Sequence, residues 1–371
     1  MRGPVGTRMR ELSREDLKDI AAGAALLGTG GGGNPYLGRL VVEGVLTPER
    51  RIRVAEADDL DCDTPVAAMF GLGAPTVGIE KIRSGTEALT ALRALERYVG
   101  RPFQAIAPIE MGGSNSMIPL ALGALTDLPV LDLDGMGRAF PEVQMVTYSV
   151  YGIPAGPMAV ADERGNVAVM EARDDRFMER MARAVTVVQG GHADAVGYPA
   201  TAARFWAAGI PGTLTLAASI GRVLRRARPV LPALLPLVRG GIVFEGKISD
   251  LNRRTVGGFT RGEAILTGTG TDGGQTARLV FQNENLGLFV GERPVVTVPD
   301  LITLLDYESS APLTTEVLRY GFRVRVLAMP CHDLWRSPAA LAVAGPRAFG
   351  YDFDFEPWDA FASAGRMPDD T

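Results

Sequence analysis

Cysteine and histidine are scarce in this chain of 371 residues, which has two of each: Cys62, Cys331, His192 and His332. Two cysteines cannot build a disulfide framework, which favours a reducing compartment. Two histidines exclude a metal site with three histidine ligands within one chain. His192 follows two glycines and is the better candidate for catalysis or ligand binding. Cys331 and His332 are adjacent, and neighbours in sequence rarely converge on one reacting atom.

The chain also lacks a basic block, a long apolar run and an apolar N-terminal segment. The 38 lysines and arginines against 43 aspartates and glutamates give a net charge of −5, which argues against nucleic-acid binding because phosphates would not be neutralised. The most apolar stretch, residues 230–244, is cut by Pro232, Pro236 and Arg239, so no membrane span is expected. No secretory signal is visible. We therefore expect a soluble, cytoplasmic protein.

What the chain does contain is the composition of a globular protein, 46% hydrophobic and 22% charged. Apolar runs at 65–70, 103–108 and 130–133 alternate with helical patterns, which predicts a layered α/β domain with a mostly parallel or mixed sheet. Residues 241–330 are rich in strand patterns and glycine, which predicts an antiparallel sheet or small barrel within an α+β domain.

These patterns divide the chain into three predicted segments: an N-terminal α/β domain (residues 9–172), a C-terminal α+β domain (173–358) and a tail (359–371). Two helix starts carry capping signals. One is Ser13 with Asp16 three residues later, and the other is Asn34 followed by Pro35.

The first candidate site is a glycine run at the start of a predicted helix, consisting of Gly30, Gly31, Gly32 and Gly33 before Asn34. Its spacing matches the dinucleotide fingerprint, but a helix precedes it where that fingerprint needs a strand, so neither nicotinamide nor flavin is expected. Backbone N–H groups at a helix N-terminus suit a carboxylate, a phosphate or a developing oxyanion. The alternative is a tight turn in which only glycine fits. Four consecutive glycines exceed what one turn needs and favour substrate binding.

Two further loops follow predicted strands, at the edge where α/β sheets hold ligands. Gly73 lies in the first, FGLGAP, for which an ordinary connection is the favoured alternative to substrate binding. Glu110 and Asn115 lie in the second, EMGGSNS. A helix cap also explains Asn115. A carboxylate between an apolar strand and a glycine turn lies where a pocket is expected, and Glu110 is a candidate catalytic residue.

The densest candidate is DLDGMGRAFPE, which contains Asp132, Asp134, Arg138 and Glu142. On a continuing strand the two aspartates point to one face. Such a cluster can bind a divalent metal, act as acid and base, or grip a substrate carboxylate through Arg138. The alternative is an Asp-Gly turn with an internal salt bridge. We expect Arg138 to neutralise part of the charge and one carboxyl to have a raised pKa. A divalent metal on Asp132, Asp134 and Glu142 is the next alternative.

A polar segment, FQNEN, interrupts the strand patterns near residue 283. Alternation places Gln282 and Glu284 on one face of a strand and Asn283 and Asn285 on the other. A solvated sheet face is slightly favoured, and substrate contacts follow if this sheet closes over the first domain. Because the glycine loops all lie at element ends, we predict that segments 28–34, 71–75, 110–115 and 132–142 line one cleft.

Several of these segments together resemble the S-methyl-thiohydantoin desulfurase-like family: LLGTGGGGNPYLG, FGLGAP, EMGGSN, DLDGMGRAFPE, FQNEN and GPRAFGYD, in order between about Leu12 and Asp352. The resemblance implies an N-terminal α/β domain joined to a C-terminal domain with a β-rich portion. It also implies chemistry on hydantoins and thiohydantoins, and association with hydantoinase/oxoprolinase proteins. The segment at 329–333 departs from the family, which weakens Cys331 and His332 as general catalysts.

Two functions are left open. A hydrolase would direct water at the ring C=S or C–S carbon, using a base or a metal drawn from Glu110, Asp132, Asp134, Glu142 and His192, with glycine N–H groups stabilising the developing charge. The alternative is a non-catalytic subunit that binds a small metabolite and partners a hydantoinase/oxoprolinase. In either case we expect a small-molecule ligand and a homo-oligomer, with neither nucleic acid nor membrane as partner.

Overall fold

Two β-sheets with flanking helices form the part of the chain that the computed structural model describes, residues 9–73, 77, 80–256 and 259–358. The predicted tail at 359–371 lies outside the described residues. In chain order the α-helices are α1 (Arg14–Leu27), α2 (Pro35–Val45), α3 (Glu87–Val99), α4 (Ile118–Thr126), α5 (Thr147–Val150), α6 (Asp175–Val188), α7 (Ala202–Ala208), α8 (Thr213–Arg226), α9 (Leu231–Val238) and α10 (Pro338–Ala344).

The strands supply both sheets and one short pair. In chain order they are β1 (Arg10–Glu11), β2 (Arg53–Ala55), β3 (Pro65–Gly73), β4 (Ala105–Pro108), β5 (Val130–Leu131), β6 (Leu133–Asp134), β7 (Met158–Ala161), β8 (Val167–Met170), β9 (His192–Thr201), β10 (Ile210–Pro211), β11 (Gly241–Val256), β12 (Phe259–Gly268), β13 (Thr276–Gln282), β14 (Glu284–Val290), β15 (Arg293–Thr297), β16 (Leu301–Asp306), β17 (Pro312–Leu313) and β18 (Arg323–Met329).

The first sheet is mixed and has the order β1-β2-β5-β4-β3-β9-β7-β8. Pairs among β2, β5, β4 and β3 are parallel, while β1 and the β9-β7-β8 side are antiparallel. This confirms the predicted α/β architecture. Since β9 begins at His192, the first sheet takes a strand from beyond residue 172 and draws on both predicted domains.

The second sheet is antiparallel throughout and has the order β15-β14-β13-β12-β11-β18-β16-β17. Its outer strands, β15 and β17, are not paired with each other, so the sheet is open and the barrel alternative does not apply. Its own apolar cluster includes Phe244, Ile248 and Leu304, all buried. A larger cluster contains the first sheet and also Phe289 and Leu301 of the second sheet. The two sheets therefore pack against each other through apolar side chains.

The first two helices begin where the capping signals predict. The Ser13 hydroxyl accepts from the Asp16 N–H, the Asp16 carboxylate accepts from the Ser13 N–H, and Asn34 Oδ1 accepts from a backbone N–H of α2. Helices α1 and α8 pack closely at Gly23. A Cβ on Gly23 would lie only 1.9 Å from the Ala217 carbonyl oxygen of α8, so this contact requires glycine. Among the described residues, none of the helices is both long enough and apolar enough to cross a membrane.

Hydrogen bonds join the glycine loop after α1 to the second sheet. The Asn285 N–H donates to the Thr29 carbonyl over 2.7 Å, and the Thr315 N–H donates to the Gly30 carbonyl over 2.9 Å. The Thr303 hydroxyl donates to the Leu26 carbonyl over 2.7 Å. The loop between α1 and α2 is therefore held at the junction of the two sheets, which is where the candidate site lies.

Candidate active site at the junction of the sheets

A cavity of about 110 Å³ lies where the glycine loop, the ends of β3 and β4 and the β13–β14 turn meet. A single water molecule needs roughly 10–15 Å³ of cavity volume measured in the same way, so this cavity is large enough for a small organic molecule. Every loop predicted to share a cleft contributes to the lining, together with the FQNEN segment, although residues 74–75 lie outside the described part. The predicted site residues in the lining are Gly32, Gly33, Asn34, Gly73, Glu110, Asn115, Glu142 and His192.

Glu110 lies two residues after the end of β4 and is buried, with 3% of its surface exposed. Its Oε1 accepts from Asn115 Nδ2 over 2.6 Å, and its Oε2 accepts from the Phe140 N–H over 3.3 Å. Burial raises the pKa of Glu110 well above the usual 4.5, and the negative charge of Glu284 raises it further. Asn115 also accepts from the Gly71 N–H over 2.8 Å, so the amide that holds Glu110 is itself fixed to β3.

Glu284 is the second buried carboxyl of the cavity, with 2% of its surface exposed. It begins β14 after Asn283, which has a left-handed backbone (φ 59°) and exchanges two hydrogen bonds with the backbone of Thr260. Burial raises the pKa of Glu284 to about 8, against the opposing influences of Arg138 and of a backbone hydrogen bond from Gly32. The tight turn thus places the carboxyl of Glu284, whose pKa is raised, in the cavity. This carboxyl comes from the second sheet, whereas the first sheet and its loops form most of the cavity wall.

His192 lines the cavity at the start of β9. Burial lowers its pKa to about 3, with further lowering by Arg83 and Lys81, so the imidazole is uncharged at neutral pH. Arg83 also lines the cavity and forms an ion pair with buried Asp194. Burial raises the pKa of Asp194 to about 6. This side of the cavity offers a neutral imidazole and a guanidinium that is already paired.

The glycine loop packs against the EMGGSNS loop more closely than any side chain would permit. A Cβ on Gly32 would lie 2.5 Å from the Gly112 carbonyl oxygen, and a Cβ on Gly33 would lie 2.6 Å from Ser114 Oγ. The Ser114 N–H donates to the Gly33 carbonyl over 3.2 Å. Close packing of two loops therefore accounts for these glycines in addition to their position in the cavity lining.

Gly30 and Gly31, both predicted to bind substrate, lie outside the cavity lining. The Gly30 carbonyl accepts from Thr315, and the Gly31 N–H donates to the Gly28 carbonyl over 2.8 Å. The space that a Gly31 side chain would take is filled by Glu284. The predicted row of free N–H donors is thus broken at Gly31, whose N–H is already bonded within the loop, and side chains from the second half of the chain lie against both glycines.

Asp132 and Asp134 were predicted to share one face of a strand, and the structure separates them. β5 ends before Asp132 and β6 begins after it, so the alternation is broken. Asp132 Oδ1 accepts from the N–H groups of Leu214 and Thr215 at the start of α8. Both oxygens of Asp134 accept from the Gly137 N–H, and burial raises the pKa of Asp134 to about 7. Neither aspartate lines the cavity.

The predicted metal ligands therefore do not assemble, since Glu142 lines the cavity and the two aspartates do not. Within the ranges that the structure describes, no group of three or more His, Cys, Asp and Glu side chains is arranged to hold a metal ion. Glu142 instead accepts a hydrogen bond from the side chain of Gln144.

Arg138 is completely buried, and its position contradicts the prediction that it grips a substrate carboxylate. Each of its five N–H groups already has an acceptor. These acceptors are the carbonyl oxygens of Ala139 (3.0 Å), Pro299 (3.0 Å), Asp300 (2.7 Å) and Asn285 (3.1 Å) and the hydroxyl of Thr29 (3.0 Å). No donor of Arg138 remains for a substrate.

Glu284 is the main site residue absent from the predicted set. The FQNEN segment marked its position, but the pattern favoured a solvated sheet face. Which face of a strand turns toward another domain depends on tertiary packing, which local alternation does not contain. Arg83 and Arg183, which also line the cavity, carry no local signal that distinguishes them from surface arginines.

The mixed sheet and the open antiparallel sheet together enclose a small cavity that contains two buried carboxyls, Glu110 and Glu284. The chain belongs to the S-Me-THD-like family, the S-methyl-thiohydantoin desulfurase-like proteins: the family's N-terminal domain matches residues 15–172 and its C-terminal domain matches residues 173–358. The resemblance seen in the sequence motifs is thereby confirmed.

A crystal structure of a protein from Chromobacterium violaceum has the same fold. Its TM-score against this chain is 0.80 at 23% sequence identity, and the alignment covers 94% of this chain and 99% of that one. At this identity the likeness concerns the fold alone. No curated protein matches this chain.

Proposed function

We propose that the protein hydrolyses a five-membered cyclic thioureide or ureide of the thiohydantoin or hydantoin type, and that it removes the sulfur from a ring carbon of the thioureide. Membership of a family named for a desulfurase supports an enzyme of this kind. The observation that carries the proposal is the pair of buried carboxyls, Glu110 and Glu284, in one small cavity. Buried carboxyls with raised pKa values are the groups that serve as general acids and bases near neutral pH.

The reaction moves both protons of one water onto the ring and the departing sulfur. One carboxylate of the pair takes a proton as water adds to the ring carbon, which gives a tetrahedral intermediate with a hydroxyl on that carbon. The protonated partner gives its proton to sulfur as the C–S bond breaks, and the hydroxyl loses its proton as the new C=O forms. That second proton ends on the ring nitrogen of an S-methyl ring, which yields methanethiol and the oxo ring, or on the sulfur of a thioxo ring, which yields hydrogen sulfide and the same product.

Other cavity residues suit the binding of such a ring. The neutral imidazole of His192 has one donor and one acceptor nitrogen for the ring N–H and heteroatom positions. Phe70, Ile109 and Met136 provide apolar walls for the ring faces. A cavity that combines apolar walls with a few polar groups orients a ligand while it excludes bulk water.

A panel of hydantoins, 2-thiohydantoins and S-methyl-2-thiohydantoins, each incubated with the full chain in H₂¹⁸O, tests the proposal. We expect release of sulfide or methanethiol together with one ¹⁸O atom in the ring carbonyl, detected by mass spectrometry. Binding of these rings, measured by calorimetry, without release of sulfur or ring opening would contradict an enzyme and indicate the non-catalytic binding subunit. If the protein neither binds nor turns over any of these rings, the proposed substrate class is contradicted.

A further inference from the structure

One oxygen of the two buried carboxyls has no hydrogen-bond partner in the described part of the chain. Both oxygens of Glu110 accept from the protein, Oε1 from Asn115 Nδ2 and Oε2 from the Phe140 N–H. Glu284 Oε2 is equally buried, but no donor or acceptor of the described residues reaches it. Leaving a buried polar atom unpaired is costly, and most such atoms in native proteins are paired. An unpaired oxygen at a cavity wall therefore indicates a ligand atom that pairs with it.

The placement of the Glu284 side chain leaves this oxygen for the cavity. Its Oε1 faces the glycine loop and lies only 2.0 Å from the position of a Cβ on Gly31. Gly31 is not among the residues that line the cavity, whereas Glu284 is. Because one oxygen is turned toward the loop, Oε2 is the oxygen that a bound molecule can reach.

Arg83 Nε is also buried and unpaired among the described residues that line the cavity. Arg83 acts on His192 and forms an ion pair with Asp194, which holds its guanidinium on that side of the cavity. Glu284 instead lies near Glu110, on which its charge acts. Of the two unpaired atoms, Glu284 Oε2 is thus the one beside the second carboxyl, where the reaction is proposed to occur.

The surroundings of Glu284 favour the uncharged carboxyl, in which Oε2 can be a hydroxyl donor. Only 2% of the residue is exposed, and a carboxylate oxygen that is both buried and unpaired is strongly disfavoured. The rise of the Glu284 pKa to about 8 on burial agrees with this. A hydroxyl donor requires an acceptor, and the exocyclic oxygen or sulfur of a hydantoin or thiohydantoin ring can only accept.

We propose that Glu284 Oε2 is the hydrogen-bond donor to the exocyclic atom of the ring carbon that loses sulfur. This atom is sulfur in the substrate and oxygen in the product. The inference rests on the function proposed above and names the cavity atom that meets the leaving group. It also makes Glu284 a specificity-determining residue, because a ring without an acceptor at this carbon loses the contact.

Calorimetric titration of the full chain with two ring compounds tests the contact. Hydantoin has a carbonyl oxygen at C2, and imidazolidin-4-one is the same ring with a methylene at C2. The wild type is expected to bind hydantoin about tenfold more tightly, the usual effect of one hydrogen bond. Glu284→Gln keeps a donor and should keep this preference, whereas Glu284→Leu should bind both rings with similar affinity. Glu308→Leu, at an exposed glutamate, is the matched control and should behave as the wild type.

An infrared measurement makes the test independent of the second ring. A donated hydrogen bond weakens a carbonyl bond, so the C2 carbonyl band of hydantoin labelled with ¹³C at C2 should fall in frequency on binding. The fall is expected with the wild type and with Glu284→Gln, and it should be smaller with Glu284→Leu.

Equal affinity of the wild type for the two rings would overturn the inference without the use of any variant. A preference for hydantoin that survives in Glu284→Leu would also overturn it. Sulfur release is measured separately, so a wild type that prefers hydantoin but releases no sulfur contradicts the proposed catalysis and leaves the contact in place. A wild type that binds neither ring contradicts the proposed substrate class and the contact together.

Discussion

Glu284 occupies the space in which Gly31 would carry a side chain: a Cβ built on Gly31 would lie 2.0 Å from Glu284 Oε1 and 2.5 Å from its carboxyl carbon. The two residues come from opposite halves of the chain, one in the glycine loop and one in the second sheet. The absence of a side chain at residue 31 thus leaves the space that the carboxyl of Glu284 occupies.

Gly31→Ala is expected to lower kcat/KM for sulfur release at least about tenfold, because the methyl group must displace Glu284, and an ångström-scale misplacement has effects of this order or larger. Gly44→Ala is the matched control, since a Cβ at Gly44 in α2 meets nothing within 4 Å. The control should keep wild-type kinetics and gain up to about 1 kcal/mol in unfolding free energy. Wild-type kinetics in Gly31→Ala would show that the position of Glu284 is unimportant for turnover.

Glu284→Gln and Glu110→Gln are each expected to lower kcat at least about 100-fold, the usual contribution of a general acid or base. Both substitutions keep size and burial, so ring binding by calorimetry should change far less than turnover. Glu308→Gln, at an exposed glutamate paired with Arg323, is the control and should match the wild type. A variant of either buried glutamate that retains more than a tenth of wild-type kcat would remove that residue from the mechanism.

Stability should fall as the pH rises between about 4.5 and 8, because burial raises the pKa of Glu284 from 4.5 to about 8. Across this range the unfolded chain has released a proton that the folded protein still holds, which destabilises the fold by up to about 1.4 kcal/mol per pH unit. Urea denaturation at pH 5 and at pH 8 measures the difference. Glu284→Gln should reduce it, Glu308→Gln should not, and an equal pH dependence in Glu284→Gln and the wild type would contradict the assignment.

His192→Asn is expected to leave the pH–rate profile unchanged in shape, because the imidazole, with a pKa lowered to about 3, is already neutral at working pH. The loss of one hydrogen bond to the ring should lower kcat/KM by about tenfold. His332→Asn serves as the control, as His332 is not among the cavity-lining residues. A wild-type limb near pH 6.5 that disappears in His192→Asn would show instead that His192 titrates during turnover.

Features that depend on neighbours along the chain could be predicted from the sequence. The capping box of Ser13 and Asp16 and the Asn34–Pro35 helix start form as expected because both partners lie within one turn. The antiparallel second sheet and the position of the glycine loops at the ends of elements also follow from local patterns. Glu110 could be selected as a candidate for the same reason, since it lies in the loop just after an apolar strand.

Features that depend on distant partners could not be predicted. Asp132 and Asp134 have the spacing of one strand face, but the α8 N-terminus draws Asp132 away from it. The guanidinium of Arg138 could bind a substrate carboxylate, but its N–H groups donate to backbone carbonyls in and beside the second sheet, those of Asn285, Pro299 and Asp300. Both outcomes are set by groups more than 80 positions away, such as Leu214 and Pro299.

The hydrogen bonds from the Thr29–Gly30 turn to Asn285 and Thr315 have a consequence for the order of folding. The Thr315 hydroxyl and the Gly30 carbonyl are 285 positions apart, which makes this one of the most non-local contacts in the chain. Contacts between residues so far apart in the sequence require the chain to close a very long loop. Such contacts form after local structure has formed. During synthesis, the glycine loop can reach its final conformation only once almost the whole polypeptide has emerged. Turnover would therefore be among the last native properties to appear, and its time course after dilution from denaturant would report the docking of the two sheets.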